Sequence, residues 1–404
     1  MPLAQLEQRL ESLLDEVSAR KDIHAATMIL ATGGGDFRWA GARGELSPGG
    51  PAATPEMPWF TASITKLFIA ATVMRMVEDE ELALEDRLVD RLPSSVTHRL
   101  HVLDGEDRTG LITLEHLLAH ASGLPDYIED YPEKRRAGAG DSRSLVEILL
   151  EEGDREWSLE DTGRRIREAL RPHFPPQAMD ARRVRIRYSD TNYQLLMGIV
   201  AERRDASFAQ VLEDAVLGPL GLDDTWIPGH PRAGRPTREV ATLYAGAEVV
   251  GFPRFFASIG DLNSTSDDLL RFLMAIQGGG LFRSTATWDR MQARWNRFSL
   301  PLDRAAIRQP SWPIEYGLGV MRFHLPRVLT PLRPVPGVIG HTGSTGTWLF
   351  YAPELDLYLT GTVNQITAGA VPFRLVPRVL RAARAALTGA GPNACFDQAG
   401  RCHP

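Results

Sequence analysis

The segments of this chain that read as strands lie near its two ends, and helical segments fill the middle. A hairpin is predicted from "AATMILAT" and "DFRWAGARG", and further strands are predicted from "YGLGVMRF", "GVIGHTG", "TWLFYAPE" and "DLYLTGTVN". From Thr61 to about residue 300 the apolar spacing is mostly helical. We therefore expect both ends to contribute to one strand-bearing layer, which packs on a helical layer.

Helices are predicted at both ends of that layer. "MPLAQLEQRLESLLDEVSAR" and "VPFRLVPRVLRAARAAL" carry apolar residues at helical spacing. The predicted fold is thus α/β plus all-α. An antiparallel sheet with terminal helices forms a discontinuous α/β subdomain of residues 1–60 and 301–404. This subdomain packs on a mainly helical subdomain of residues 61–300.

Composition and charge exclude several classes of partner. With 404 residues and 43% apolar content the chain reads as globular, and a net charge of −6 gives no basic surface for nucleic acid or an anionic membrane. No apolar run approaches membrane-spanning length, and the first helix lacks the features of a signal peptide, so a cytoplasmic protein is expected. Cys395 and Cys402 lie in a polar tail, where two free thiols are favoured over a disulfide.

Lysine is rare, and one lysine has an unusual setting. Of the 45 lysine and arginine residues only Lys21, Lys66 and Lys134 are lysines, and Lys66 follows Ser63 by three residues within the apolar stretch "FTASITKLFI". That spacing on a helix brings the hydroxyl and the amine within hydrogen-bonding reach, and burial opposes protonation of the amine. The pair predicts a serine nucleophile activated by lysine. The same spacing recurs at Ser18, but on a charged helix face, where we predict no function.

Two later segments contain groups suited to the same chemistry. "RYSDTNYQLLMG" supplies Tyr188, a phenol that can relay protons, and "GHTGSTGTWLF" predicts an edge strand whose backbone N–H groups can bind an oxyanion. Tyr127, on the loop "GLPDY", and Trp348, just beyond that strand, are further candidates for contact with a substrate.

With these segments in order, the chain resembles the serine β-lactamase and penicillin-recognising superfamily, in its class C-like branch of esterases, D-aminopeptidases and acyl-transfer enzymes. The resemblance covers most of the chain and rests on six ordered segments: "FTASITKLFIA", "LITLEHLLAHASGLPDY", "YSDTNYQLLMGIVAE", "LGLDDTWIP", "STSDDLLRFL" and "HTGSTGTWLFYAPELDLYLTGTVNQ". It implies an active site between the two layers.

The resemblance also implies roles for individual residues. Ser63 would be the nucleophile, Lys66 its proton acceptor and Tyr188 the acid/base that serves the leaving group. The oxyanion hole would consist of the backbone N–H groups of Ser63 and Ser344. Substrate contacts are expected from these residues: Asp190, His341, Thr342, Gly343, Tyr127 and Trp348.

Two positions depart from the family pattern. Asp190 replaces the asparagine of the usual Tyr-x-Asn, and a carboxylate there should raise the pKa of Lys66 and favour Tyr188 as a shared base. His341 stands where classical β-lactamases have lysine, and a histidine is mostly neutral near pH 7. Substrates without a carboxylate are therefore expected in place of penicillins.

The expected function is acyl transfer through a Ser63 acyl-enzyme, with an ester, amide or lactone as substrate and no cofactor. Carboxylesterase-like hydrolysis is favoured. Transfer to an amine or alcohol acceptor, D-aminopeptidase or β-lactamase activity, and a non-catalytic acyl-binding sensor remain alternatives. His116 and His120 have the spacing of two zinc ligands, but no third ligand follows, so no metal is expected. The sequence leaves the oligomeric state open.

Overall fold

The structure, a computed structural model, describes residues 2–133, 142–235, 238–300, 303–326, 328, 330 and 334–387. Lys134, Cys395 and Cys402 lie outside these residues, so the predicted state of the two cysteines stays a prediction. Across the described part of the chain, no helix has both the length and the apolar character needed to cross a bilayer.

The strands and helices follow the order predicted from the sequence. The strands are β1 (Ala25–Thr32), β2 (Arg38–Gly44), β3 (Trp59–Phe60), β4 (Val102–Leu103), β5 (Glu106–Asp107), β6 (Leu243–Ala245), β7 (Glu248–Val250), β8 (Asn263–Ser264), β9 (Asn296–Arg297), β10 (Glu315–Tyr316), β11 (Met321–Phe323), β12 (Val338–Gly343), β13 (Thr347–Ala352) and β14 (Leu357–Thr362). The helices are α1 (Leu3–Ser18), α2 (Thr65–Glu78), α3 (Leu88–Arg91), α4 (Ser94–Thr97), α5 (Leu114–Leu118), α6 (Leu145–Glu152), α7 (Leu159–Glu168), α8 (Asp190–Arg204), α9 (Phe208–Leu212), α10 (Pro253–Ile259), α11 (Ser266–Gln277), α12 (Thr285–Gln292), α13 (Arg304–Arg308) and α14 (Val371–Leu387).

An eight-stranded antiparallel sheet joins the two ends of the chain. Its strand order is β2-β1-β14-β13-β12-β11-β10-β9, so the first hairpin pairs with the last strand, β14. Helix α1 packs on β1, β2 and α14, whereas α11 packs on β13 and β14. Every residue of β14 is buried, which is why that strand is apolar or small throughout rather than alternating. The predicted antiparallel sheet with terminal helices is confirmed.

Helix α2 runs through the interior of the helical layer. Nine of its first eleven residues are apolar or small polar, and every one from Thr65 to Met74 is buried, as expected for a helix that is apolar on nearly all sides. It packs against α8 and α9, and Phe68 stacks on Phe272 of α11 with ring centroids 3.6 Å apart. The first turn of α2 therefore holds Lys66 in a dry environment.

The junction between the two layers lies beside β3. This strand pairs with β8, with Trp59 opposite Ser264 and Phe60 opposite Asn263, and the chain then enters α2. The predicted subdomain boundaries at residues 60/61 and 300/301 stay a prediction. Strand β9, which joins the sheet, ends shortly before the second of them.

Candidate active site

Buried hydroxyl and backbone contacts hold the turn that carries Ser63. After β3 the chain forms a 3-10 turn, Ala62–Ile64, that leads directly into α2. Ala62 has a φ of +50°, a left-handed conformation that is costly for a residue with a Cβ atom. Thr61 Oγ1 donates a hydrogen bond of 2.9 Å to the carbonyl oxygen of Leu262, so the surrounding structure maintains this conformation.

The predicted serine and lysine are in direct contact. Lys66 Nζ donates a hydrogen bond of 3.0 Å to Ser63 Oγ, one helical turn away. Only 3% of the Lys66 surface is exposed. A second hydrogen bond from Nζ goes to Oδ1 of Asp190, the first residue of α8, and forms an ion pair. The lysine therefore lies between a hydroxyl and a carboxylate.

The charge of Lys66 is set by two opposing effects. Burial lowers its pKa, but the groups around Nζ, with the negative charge of Asp190 first among them, together raise the pKa by more. The net result is a pKa above the ordinary value, so Lys66 is an ammonium in the resting protein. The expectation that a carboxylate at position 190 favours the charged lysine agrees with this direction.

Tyr188 completes the polar group around the serine. Its ring centroid lies 5.0 Å from Lys66 Nζ, and only 5% of the residue is exposed. Burial raises its pKa, and this rise is partly offset by the positive charge of Lys66 and by interaction with Ser63. The phenol therefore keeps its proton in the resting site, where it can act as a proton donor.

The end of β12 lies against the Ser63 turn because Gly343 has no side chain. A Cβ atom at Gly343 would come 2.7 Å from the carbonyl oxygen of Thr61 and 2.9 Å from the Cβ of Ala62. Thr347 Oγ1, opposite Gly343 in the β12–β13 pair, donates a hydrogen bond of 3.1 Å to the same Thr61 oxygen. The sheet is thereby fixed to the segment that presents the serine.

A cleft of about 750 Å³ opens at this junction. Several of the predicted site residues line it: Ser63, Tyr188, Asp190, Thr342, Gly343 and Ser344. The remaining wall is largely apolar and aromatic, with Glu129 and Asp261 as further acidic residues. No lysine, arginine or histidine is found among the described residues that line the cleft.

His341 lies behind the cleft wall instead of facing it. The residue is fully buried, its Nε2 lies 2.9 Å from Tyr316 Oη, and its Nδ1 lies 2.7 Å from the carbonyl oxygen of Thr342. A carbonyl only accepts, so Nδ1 carries the proton and Nε2 accepts from Tyr316. Burial, with a smaller effect of Lys66, lowers the pKa of His341 to about 3. It is a neutral side chain that connects β12 to β10.

Two aromatic residues predicted to touch substrate are also buried away from the cleft surface. Trp348 is fully buried, and its indole occupies the space above Gly361 on β14. Tyr127 stacks on Trp157, with ring centroids 5.9 Å apart, in the packing beneath the cleft wall. Neither is among the residues that line the cleft.

Comparison with known proteins identifies the family. Residues 10–382 match the family described as Beta-lactamase. The chain belongs to the β-lactamase family. It is 26% identical over 341 residues to esterase EstB of Burkholderia gladioli. The aligned region covers 78% of this chain and 79% of that protein.

Solved structures of this fold were also found. The D-amino acid amidase of Ochrobactrum anthropi SV3, in complex with D-phenylalanine, matches with a TM-score of 0.70 and 20% identity over 94% of this chain and 99% of that one. EstCE1, described as a hydrolase with promiscuous acyltransferase activity, matches with a TM-score of 0.67 and 19% identity over 93% and 98%. The protein is accordingly a serine hydrolase of the β-lactamase family.

Two acidic residues of this β-lactamase-family site were not predicted. Asp261, half-buried in the cleft wall, interacts with Lys66, and burial raises its pKa to about 6. Asp126 is fully buried and accepts a hydrogen bond of 3.1 Å from the backbone N–H of Asp190. Asp126 is adjacent to the predicted Tyr127 in the sequence, so its position near the site could have been inferred from that neighbour. Asp261, by contrast, is brought to the site only by the pairing of β8 with β3.

The two histidines with zinc-like spacing have separate hydrogen-bonding partners. His116 Nδ1 lies 3.0 Å from the backbone N of Thr113, at the start of its own helix. His120 is buried under Tyr188, with ring centroids 4.4 Å apart, and its Nδ1 accepts from the backbone N–H of Ser189. Within the described ranges, no group of three or more potential metal ligands occurs.

Proposed function

We propose that this protein hydrolyses esters or amides through an acyl-enzyme on Ser63. The observation that carries the proposal is the hydrogen bond of 3.0 Å between Lys66 Nζ and Ser63 Oγ at the wall of an open cleft. A serine oxygen next to a lysine amine can lose its proton as it attacks a carbonyl carbon. The names of the relatives, an esterase and an amidase, support these two substrate classes.

Proton transfer begins in the buried ion pair. An ammonium cannot accept the serine proton, so Lys66 first passes a proton to Asp190 when bound substrate excludes water from the cleft. Excluding water lowers the cost of forming this neutral pair, because both charges then lose their hydration. The Lys66 amine then takes the Ser63 proton while Ser63 Oγ bonds to the carbonyl carbon.

The leaving group departs with a proton from Tyr188. The phenol donates to the departing oxygen or nitrogen, and the Lys66 ammonium returns a proton to the phenolate, so Tyr188 ends in its starting state. The backbone N–H groups of Ser63 and Ser344 are proposed to bind the oxyanion of the tetrahedral intermediate. Water then attacks the acyl-enzyme by the reverse proton path.

The charge of the cleft favours substrates without a carboxylate. The buried, neutral His341 cannot offer a positive charge, and the described lining residues supply carboxylates but no cationic side chain. A substrate carboxylate would be desolvated without a cationic partner from these lining residues, which costs several kcal/mol. We therefore propose esters and amides of uncharged acids as substrates, in preference to penicillins.

Acyl transfer to an alcohol or amine shares every step up to the acyl-enzyme. The apolar wall of the cleft supports this second activity, because an apolar acceptor would compete there with water. Adding such an acceptor during ester turnover separates the two activities: a transacylase forms a new ester or amide, and a hydrolase releases only the free acid.

The test of the nucleophile uses a matched pair of variants. Ser63→Ala should abolish release of nitrophenol from p-nitrophenyl esters and the acyl adduct seen by intact-protein mass spectrometry. Ser18→Ala removes the other serine that precedes a lysine by three residues, on α1, and should leave both unchanged. Ser63→Ala protein that retains turnover would contradict the proposed function.

A further inference from the structure

One wall of the cleft belongs to a hydrophobic cluster separate from the main core. Its buried members come from five segments that meet beside Ser63: Phe60, Ala62, Tyr127, Leu145, Ile148, Leu149, Leu243, Val250, Phe252, Phe255 and Ile259. The main core, by contrast, lies under the sheet and around α2. A satellite cluster of this kind that still borders an open cleft offers apolar surface to a ligand.

Phe256 presents this cluster to the cleft. Its ring stacks on Phe60, with centroids 4.1 Å apart and an interplanar angle of 24°, and has further ring contacts to Phe252 and Phe255. Phe256 is half-buried, whereas the rings of the other three are buried. Phe60, Phe256 and Ser63 all line the same cleft. Phe256 therefore borders the cavity that contains the nucleophile.

The helix that carries Phe256 is held in place by polar contacts. Asp154 accepts hydrogen bonds from the backbone N–H groups of Arg254 (2.8 Å) and Phe255 (2.9 Å) at the start of α10. Ser258 Oγ accepts a hydrogen bond of 3.0 Å from the backbone N–H of Trp157. The aromatic wall is therefore formed before any ligand binds, which favours binding because little ordering is needed.

The aromatic wall and Tyr188 both line the cleft, but they are packed by different sets of residues. Tyr188 packs against His120, Phe298, Tyr316 and His341, and none of these residues belongs to the satellite cluster. Since Tyr188 is proposed to protonate the leaving group, the leaving group is assigned to its side. The aromatic wall along Phe60 and Phe256 is therefore left for the acyl group.

We propose that this wall binds the acyl group of the substrate, so that the enzyme prefers esters and amides of bulky, uncharged, apolar acids, with Phe256 as a specificity-determining residue. The inference rests on the proposed function of Ser63. A cleft of about 750 Å³ is in the size range of sites that hold small organic ligands, and an apolar lining favours an apolar occupant.

The experiment compares two matched ester series. One keeps p-nitrophenol as leaving group and varies the acyl group from acetyl through butanoyl and hexanoyl to 3-phenylpropanoyl; the other keeps the acetyl group and varies the alcohol. In the wild type, kcat/KM should rise about tenfold or more along the acyl series, because each added apolar group that fits the pocket strengthens binding in the transition state. It should change much less along the alcohol series.

The variant Phe256→Ala tests whether Phe256 determines the preference for bulky acyl groups. We expect a loss of roughly tenfold or more in kcat/KM for the 3-phenylpropanoyl ester and little change for the acetyl ester. Phe256→Leu should recover part of the loss. Leu111→Ala, at a residue that is 60% exposed and does not line the cleft, should change neither.

Three outcomes would overturn the inference: equal losses for both esters in Phe256→Ala, a flat acyl series, or a dependence on the alcohol alone. Each of these leaves the proposed function intact, provided that turnover still depends on Ser63. Absence of any Ser63-dependent turnover would instead remove the proposed function. Thermal unfolding of each variant checks that the half-buried Phe256 can be replaced without loss of the fold.

Discussion

Asp190 holds the ammonium of Lys66 in an ion pair inside the site, one hydrogen bond away from Ser63 Oγ. Together with the other groups around the amine, the carboxylate more than offsets the burial that would otherwise lower the pKa of the lysine. The amine is thus kept next to the nucleophile but in its protonated form, and the proposed reaction starts only when the pair has exchanged a proton. This relationship can be measured directly.

Asp190→Asn should lower the pKa of Lys66. The amide removes the main charge that opposes burial, so burial then acts with less compensation. Only Lys21, Lys66 and Lys134 contribute lysine signals, so NMR of protein labelled at lysine Cε can follow Lys66 alone, with Lys66→Arg for assignment. The wild-type signal should not titrate between pH 6 and 10, whereas the variant signal should titrate at lower pH than the wild type.

The kinetics of Asp190→Asn provide the second half of this test. A free amine would then be the base, so log kcat/KM should fall by about one for each pH unit below the new pKa of Lys66. Identical Lys66 titrations in the two proteins would show that Asp190 does not control the lysine. The exposed Lys21 supplies a reference lysine signal in both proteins.

Asp261→Asn should stabilise the protein at neutral pH. The pKa of Asp261 is about 6 in the folded protein and 3.8 ordinarily, so the folded state binds its proton more tightly than the unfolded state. The stability that this group contributes is present below pH 3.8 and is lost as pH rises through 6. The free energy of unfolding in urea should be measured for both proteins at pH 4 and at pH 7.5. The value for the variant minus the value for the wild type should be about 2 kcal/mol larger at pH 7.5 than at pH 4.

The comparison isolates Asp261 because other titrating carboxyl groups, such as Asp126, are common to both proteins. A stability difference between variant and wild type that does not change between pH 4 and pH 7.5 would contradict the raised pKa of Asp261.

His341→Lys should destabilise the protein without improving its action on penicillins. The new ammonium would lie in a fully buried position, without the acceptor geometry that His341 offers to Tyr316. Burying such a charge costs several kcal/mol, so thermal unfolding should occur at a much lower temperature. His341→Gln, which keeps a polar group without a charge, should lose less. A stable His341→Lys protein with gained penicillin turnover would instead put position 341 in the cleft.

Gly343→Ala should reduce kcat because it separates β12 from the Ser63 turn. The added methyl group would meet Thr347 Oγ1 at 2.2 Å as well as the backbone around Thr61. A displaced oxyanion donor costs roughly 100-fold in kcat. Gly110→Ala is the matched control, because a Cβ atom there meets nothing within 4 Å. Full activity in Gly343→Ala would exclude a role for this close approach.

The parts of the site that were predicted depend on local spacing or on short motifs. Ser63 and Lys66 are one helical turn apart, so their contact follows from the helix itself. The sheet was predicted because its strands form separate, strongly apolar runs at the two ends of the chain. The bounds of α14, Val371–Leu387, coincide with the predicted final helix.

Side-chain direction and distant pairing account for what was missed. Adjacent residues of a strand point to opposite faces, so Thr342 and His341 of β12 cannot both face the substrate. The pattern alone does not say which of the two does so, and it is Thr342 that lines the cleft. Asp261 is about 200 residues from Ser63 in sequence, and only the β3–β8 pair brings them together.

That separation has a consequence for how the protein becomes active. The groups around Ser63 come from the turn before α2, α2 itself, the start of α8, the β8 region, the end of β12 and the start of β13, so the site spans positions 61 to 347 of the chain. A growing polypeptide that has emerged only as far as β8 has its serine and lysine but neither Gly343 nor Thr347 to hold the turn. Reactivity toward an acylating probe is thus a reporter of completed synthesis and folding, rather than of the presence of the serine motif.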